Sequence, residues 1–86
     1  MNMLTEFGHF YQSEKSKVFS TLWSCKTEPQ LRVAENFFQV LKNKWKIVTD
    51  NNTTIKTLVE IDELQFYRDL QFRSVELGLA EPRLFI

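Results

Sequence analysis

The sequence predicts an all-α fold, a small three-helix domain built on a helical hairpin. Only two glycines and two prolines occur among 86 residues, which disfavours a turn-rich β-sandwich or barrel. Apolar residues recur three and four positions apart over long stretches, which is the spacing of one helix face. A chain of this length forms one domain, residues 1–86, and buries only about 60 to 65% of its unfolded surface.

The N-terminal third is compatible with a helix or with a strand. Ser13 is a suitable cap for a helix over residues 13–24, which ends just before Cys25. The apolar spacing further upstream is also helical, but Gly8 weakens a helix there. Residues 18–23 contain enough β-branched and aromatic side chains for a strand. We expect the helix and leave residues 3–24 open between the two.

The second helix is predicted over residues 27–46. Thr27 is a good N-cap, and Gln30 three residues later completes a capping box. Pro29 lies in the first turn, where its missing N–H costs nothing. The apolar seam that follows has alternating spacings of about three and four residues. It consists of Leu31, Ala34, Phe38, Leu41, Trp45 and Val48.

Other apolar residues widen this face to about 200° of arc, so more than one neighbour is needed to bury it. They are Val33, Phe37, Val40 and Ile47.

The third helix is predicted over residues 54–77, with Gly78 after its last turn and Pro82 beyond it. Residues 55–61 also alternate in a way that permits a short strand. On a helical wheel this segment has two apolar stripes. One stripe contains Ile55, Val59, Phe66, Leu70 and Leu77, and the nearly opposite stripe contains Ile61, Leu64, Phe72, Val75 and Leu79.

The second and third helices are expected to form the hairpin, with the N-terminal segment packed across it. Both helices have more apolar arc than a single chain of this length can cover, so we expect a homodimer or a higher oligomer. Residues 1–49 carry seven Lys or Arg against four Asp or Glu, and residues 50–86 carry four against seven. The two halves complement each other either within one molecule or across a head-to-tail or twofold interface.

Composition argues against several classes of function. A net charge of zero argues against binding nucleic acid by bulk electrostatics. One cysteine excludes an internal disulfide and a Cys-based zinc site. His9 and Cys25 are the only residues of their kinds, and no spacing brings them together with an acid. We therefore expect no enzyme, no metal and no cofactor, with His9 at the surface or in packing and Cys25 as a small buried residue.

The first function hypothesis is a non-enzymatic protein-interaction module, an inhibitor or adaptor. Its surface combines the second apolar stripe of the third helix with an acidic row whose members are seven residues apart. A solvated helix edge is the simpler interpretation of that row, and a self-interface is the alternative use of the stripe. The candidate binding residues are Asp62, Asp69, Phe72, Val75, Glu76 and Leu79.

Two alternatives remain. A nucleic-acid accessory would use Lys42, Lys44 and Lys46 on phosphates and Trp45 for base stacking, as a dimer. The simpler interpretation has Trp45 closing the core and the lysines favouring a helix C-terminus. A structural subunit would use the apolar helices as contacts within a larger assembly.

Residues 24–31, Ser-Cys-Lys-Thr-Glu-Pro-Gln-Leu, together with Ala34, resemble a helical-hairpin pattern of small bacteriophage accessory proteins. The resemblance implies no substrate and no site residues. It implies a phage or mobile-element product that binds a host protein such as polymerase, nuclease or defence machinery.

We expect a cytoplasmic location, that of the host cell if the chain is phage-encoded. No apolar run is long enough for a transmembrane helix, so no membrane partner is expected, and the first residues do not resemble a signal peptide. The C-terminal tail, 79–86, ends in apolar residues. It either docks into another protein or packs back over the helices.

Overall fold

A computed structural model describes residues 3–79 as four helices. These are α1 (Met3–Ser24), α2 (Glu28–Lys44), α3 (Lys46–Asp50) and α4 (Thr53–Glu76). The all-α prediction is confirmed: residues 3–79 contain no strand, so the strand alternatives at 18–23 and 55–61 are wrong. The prediction of three helices is also wrong, because the second one is interrupted. The tail from residue 80 onward lies outside the described residues, and with it the expectation of a docking peptide.

The first helix begins at Met3 and not at Ser13, which is an interior residue of α1. The earlier start follows from packing. Phe7 and Tyr11 are buried and stacked on each other, and the Phe7 ring meets the Trp45 indole edge-on at 5.5 Å between centroids. These contacts offset the low helix propensity of Gly8.

Thr27 caps α2 as the sequence predicts. Its hydroxyl accepts a hydrogen bond from the Gln30 backbone N–H, and the Gln30 side chain accepts one from the backbone N–H of Lys26. The helix ends at Lys44 because Trp45 leaves the helical region, with φ −102° and ψ 12°. Residues after it continue as α3.

The caps of α4 explain both of its ends. The Asn52 side chain accepts a hydrogen bond from the Ile55 backbone N–H, at 3.1 Å. At the other end Gly78 has φ +73° and donates to the Val75 carbonyl, while Leu79 donates to the Ser74 carbonyl. This is a Schellman motif, and it stops the helix close to the predicted residue.

The three long helices form an up-down-up bundle. Residues 25–27 join α1 to α2 directly, whereas α2 is joined to α4 through α3. Contacts of α2 with α4 are antiparallel: Gln39 meets Tyr67 and Lys42 meets Glu63. Contacts of α1 with α4 are parallel. None of the described helices is long and apolar enough to cross a membrane.

Phe66 of α4 lies at the centre of the core. Its ring stacks on Phe38 of α2 at 4.7 Å between centroids and meets Phe19 of α1 edge-on at 5.7 Å. Phe38, Phe66, Leu22 and Val18 are the largest fully buried side chains. This face of α4 is the first of the two stripes, so the second stripe points away from the core.

The two glycines provide a matched test of this backbone. A Cβ at Gly8 meets nothing within 4 Å in a helix interior, so Gly8→Ala is expected to raise the free energy of unfolding by about 0.5 to 1 kcal/mol. Gly78→Ala has the same open space but a positive φ, and is expected to lower it by about 1 to 2 kcal/mol. Urea denaturation followed by circular dichroism measures both. Equal effects of the two substitutions would contradict the assignment of the helix ends.

Candidate protein-binding surface

The side of α4 that points away from the core carries apolar residues along its length. Positions at alternating spacings of three and four on this side, two of them polar, form a seam, which we call the outer seam. Phe72, in its C-terminal half, is 56% exposed. Leu64 is exposed on α4 beside the seam, and Leu79 is exposed past the end of the helix. The outer seam consists of Leu58, Ile61, Gln65, Arg68, Phe72 and Val75.

The exposure of this face is a consequence of the bundle geometry. Ile55, Val59 and Phe66 are buried on the opposite side of α4, against α1, α2 and α3. The other helices, α1, α2 and α3, cover only one side of α4, so the opposite side remains in water. Several exposed apolar side chains on one helix face mark an interaction surface more often than isolated surface residues do.

The acidic row is divided between two environments. Asp62 accepts a hydrogen bond from the Tyr11 hydroxyl at 2.7 Å and pairs with Lys15 at 3.3 Å, so it belongs to the α1–α4 contact. Asp69 accepts a hydrogen bond from Gln65, and Glu76 is exposed, 3.9 Å from Arg73. Of the predicted acidic binding residues, two therefore border the outer seam. The third is engaged within the molecule.

The apolar binding residues predicted from sequence lie where a partner can reach them. Phe72 is exposed, Val75 is half-buried and Leu79 is exposed. Leu58 was missed, because residues 55–61 have an alternating pattern that hides its place on the helix. Its spacing of three from Ile61 and fourteen from Phe72 was the available signal.

The lysine and tryptophan patch is not arranged as the nucleic-acid alternative requires. Trp45 is 2% exposed, and its indole N–H donates to Glu14 at 3.1 Å. Lys44 pairs with Glu14, and Lys42 pairs with Glu63 at 2.6 Å. Only Lys46 among these side chains is exposed without an ion pair in the described part of the chain. The indole cannot stack on a base without leaving the core.

A second apolar surface lies in the groove between α1 and α2. The groove includes a cavity of about 210 Å³ whose apolar lining consists of Val18, Phe37, Val40 and Leu41. Val33 is exposed next to it along α2. The charged residues that line the cavity are Glu14, Lys17 and Lys44. The broad apolar arc of the second predicted helix was the sequence signal for this surface, which we call the α1–α2 groove.

His9 and Cys25, the candidates for chemical reactivity, lie in different environments. His9 is exposed on α1. Cys25 is buried at the α1–α2 turn, as expected, and burial raises the pKa of its thiol despite the opposing charge of Arg73. Arg73 donates two hydrogen bonds to the Cys25 carbonyl, at 2.8 and 3.0 Å. Within residues 3–79 no group of His, Cys, Asp or Glu could hold a metal ion.

Comparison with known proteins returned no relative: no family model, curated protein or solved structure matches this chain.

The Tyr11–Asp62 contact makes stability depend on pH in the alkaline range. Burial, the hydrogen bond to Asp62 and its negative charge all raise the pKa of the Tyr11 phenol. The unfolded chain therefore loses this proton from about pH 10, while the folded chain keeps it. Stability is retained below about pH 10 and falls above it by up to about 1.4 kcal/mol per pH unit for this group.

The comparison of wild type with Tyr11→Phe isolates this effect from lysine deprotonation, which occurs in both proteins. Urea unfolding between about pH 9 and pH 11 is expected to show a smaller loss of stability in Tyr11→Phe. At neutral pH the variant is expected to be less stable by about 2 kcal/mol, because a hydrogen bond to a carboxylate is lost. Identical pH slopes would mean that Tyr11 titrates as an exposed phenol.

Proposed function

We propose that this chain is a non-enzymatic protein-interaction module that binds its partner through the outer seam of α4. The observation that carries the proposal is a row of positions at helical-seam spacing in which Leu58, Ile61 and Phe72 are more than half exposed, on the helix whose other side makes the core. Exposed apolar side chains in a row lower solubility, and a partner that covers them removes this cost.

The seam favours a helical partner. Alternating spacings of three and four are those of residues that insert between side chains of a facing helix. Leu58 and Val75, near its ends, are about 26 Å apart along the helix axis. Gln65 and Arg68 occupy the two middle positions, and polar residues at such positions fix the register of pairing.

The border of the seam favours a basic partner. Asp69 and Glu76 lie beside the seam, and α4 has five acidic residues against three basic ones. Complementary charge increases the association rate and excludes acidic competitors. We therefore propose an apolar partner surface flanked by Lys or Arg. The inhibitor or adaptor role, the host target and the cytoplasmic location implied earlier belong to this same proposal.

The nucleic-acid alternative has less support, since its aromatic residue and two of its lysines are engaged in contacts within the molecule. A structural role within an assembly uses the same seam and is distinguished by the identity of the partner.

Phe72→Gln tests the proposal against a matched control, Phe10→Gln. Both phenylalanines are about equally exposed on helices, at 56% and 52%, but Phe10 lies on α1, outside the seam. In affinity capture from nuclease-treated native lysate, a specific partner is expected with wild type and Phe10→Gln. Its affinity for Phe72→Gln, measured with purified partner, is expected to be lower by about tenfold or more.

Circular dichroism of both variants provides the check on folding. Unchanged helicity with lost binding supports the seam as a binding surface. Equal binding by Phe72→Gln and wild type would contradict the proposal. Unfolding of Phe72→Gln alone would mean that the seam is core.

A further inference from the structure

The outer seam is poorly suited to pairing with its own copy. An antiparallel pair of α4 helices places the two acidic borders, with Asp69 in each, side by side. A parallel pair places Arg68 opposite the Arg68 of the second copy. Like charges at close range destabilise such pairs. A twofold contact through α4 is therefore disfavoured in both orientations.

The α1–α2 groove is better suited to pair with the outer seam than a second outer seam is. Val33, Phe37 and Val40 follow one another at spacings of four and three, so they form a ridge of the same period as the seam. Val40 is 63% exposed. Lys17, in the lining of the groove, has no ion pair among the described residues. An apolar ridge beside an unpaired cation matches an apolar seam bordered by carboxylates.

The unpaired cation of the groove and the border of the outer seam are opposite in charge. Lys17 has no ion pair within residues 3–79, and the seam is bordered by the carboxylates of Asp69 and Glu76. Glu14 in the groove is held by Lys44 and Trp45 and takes no part in this match. The same complementarity holds for the two halves of the sequence, which carry opposite excess charge.

We infer that the partner of the outer seam is a second copy of this chain, whose α1–α2 groove receives α4 as a helix in a groove. This inference rests on the proposed use of the seam and names its partner. The contact is head-to-tail, because seam and groove are different surfaces of one molecule. The groove is lined by α1 and α2 alone, on the side of the bundle away from α4.

A head-to-tail contact has a consequence that a twofold contact lacks. Each copy that binds through its seam leaves its own groove free, and each copy that binds through its groove leaves its seam free. The contact therefore continues into a ring or an open chain of copies, instead of stopping at a dimer. The expected wild-type protein forms dimers and then larger species as its concentration rises.

Two double variants separate the surfaces. Ile61→Gln with Phe72→Gln removes the seam, and Val33→Gln with Val40→Gln removes the ridge of the groove. All four residues are more than half exposed, and glutamine is a good helix former, so both variants are expected to keep the wild-type circular dichroism spectrum. Sedimentation velocity over a range of concentration gives the mass of each protein and of their equimolar mixture.

Each double variant alone is expected to remain a monomer of 10.3 kDa. Their mixture is expected to form a dimer with one copy of each and nothing larger, because only one intact seam and one intact groove can meet. A mixture that stays monomeric, while wild type associates, would overturn the head-to-tail contact. So would loss of association in only one of the two variants, since that indicates a twofold contact.

Wild type that stays monomeric at high micromolar concentration would also overturn this inference. It would leave the proposed function to its own test, in which Phe72→Gln either loses or keeps a different protein partner. The two failures are therefore distinguishable. Phe10→Gln, which changes neither surface, is expected to associate as wild type does and serves as the control for added polarity.

Discussion

Phe66 is the residue on which α1, α2 and α4 converge, and its burial determines which side of α4 faces the core. The ring stacks on Phe38 and meets Phe19 edge-on, so one side chain fixes α4 against both other long helices. Aromatic pairs in these geometries stabilise beyond the area they bury. Once Phe66 is inside, helical periodicity places Ile61 and Phe72 on the other side of α4.

The interaction surface is therefore set by the core and the small number of helices. The described chain extends 45 × 25 × 15 Å, with a radius of gyration of 14.0 Å, against about 12 Å for an ordinary globule of this length. An elongated, thin bundle has a large surface for its volume and leaves apolar residues in water. Polar contacts such as Tyr11–Asp62 and Arg73–Cys25 hold the helices in place without covering those residues. Association between copies is a direct way to cover them.

Much of the fold could be predicted from sequence because its signals are local. Thr27 and Gly78 mark helix ends through their own hydrogen bonds and backbone angles, and the buried residues of α2 follow the predicted seam. The early start of α1 was indicated by apolar spacing but opposed by Gly8, and the contact that decides it joins Phe7 to Trp45, far along the chain. The contacts of Asp62 could not be predicted either, because its partners Tyr11 and Lys15 lie on another helix. For the candidate site, periodicity identified the outer stripe of α4. The groove could not be predicted, because it is created by the tertiary contact between α1 and α2.

Hydroxyl-radical footprinting read by mass spectrometry tests the central claim most directly, because it reports the exposure of single side chains in solution. At low concentration the account predicts that Phe72, Val40 and Phe10 all react. At high concentration it predicts that Phe72 and Val40 become protected together, while Phe10 still reacts. Protection of Phe72 already in the monomer would place the outer seam in the core and contradict the account. Unchanged reactivity of Phe72 and Val40 at every concentration would contradict the contact between copies.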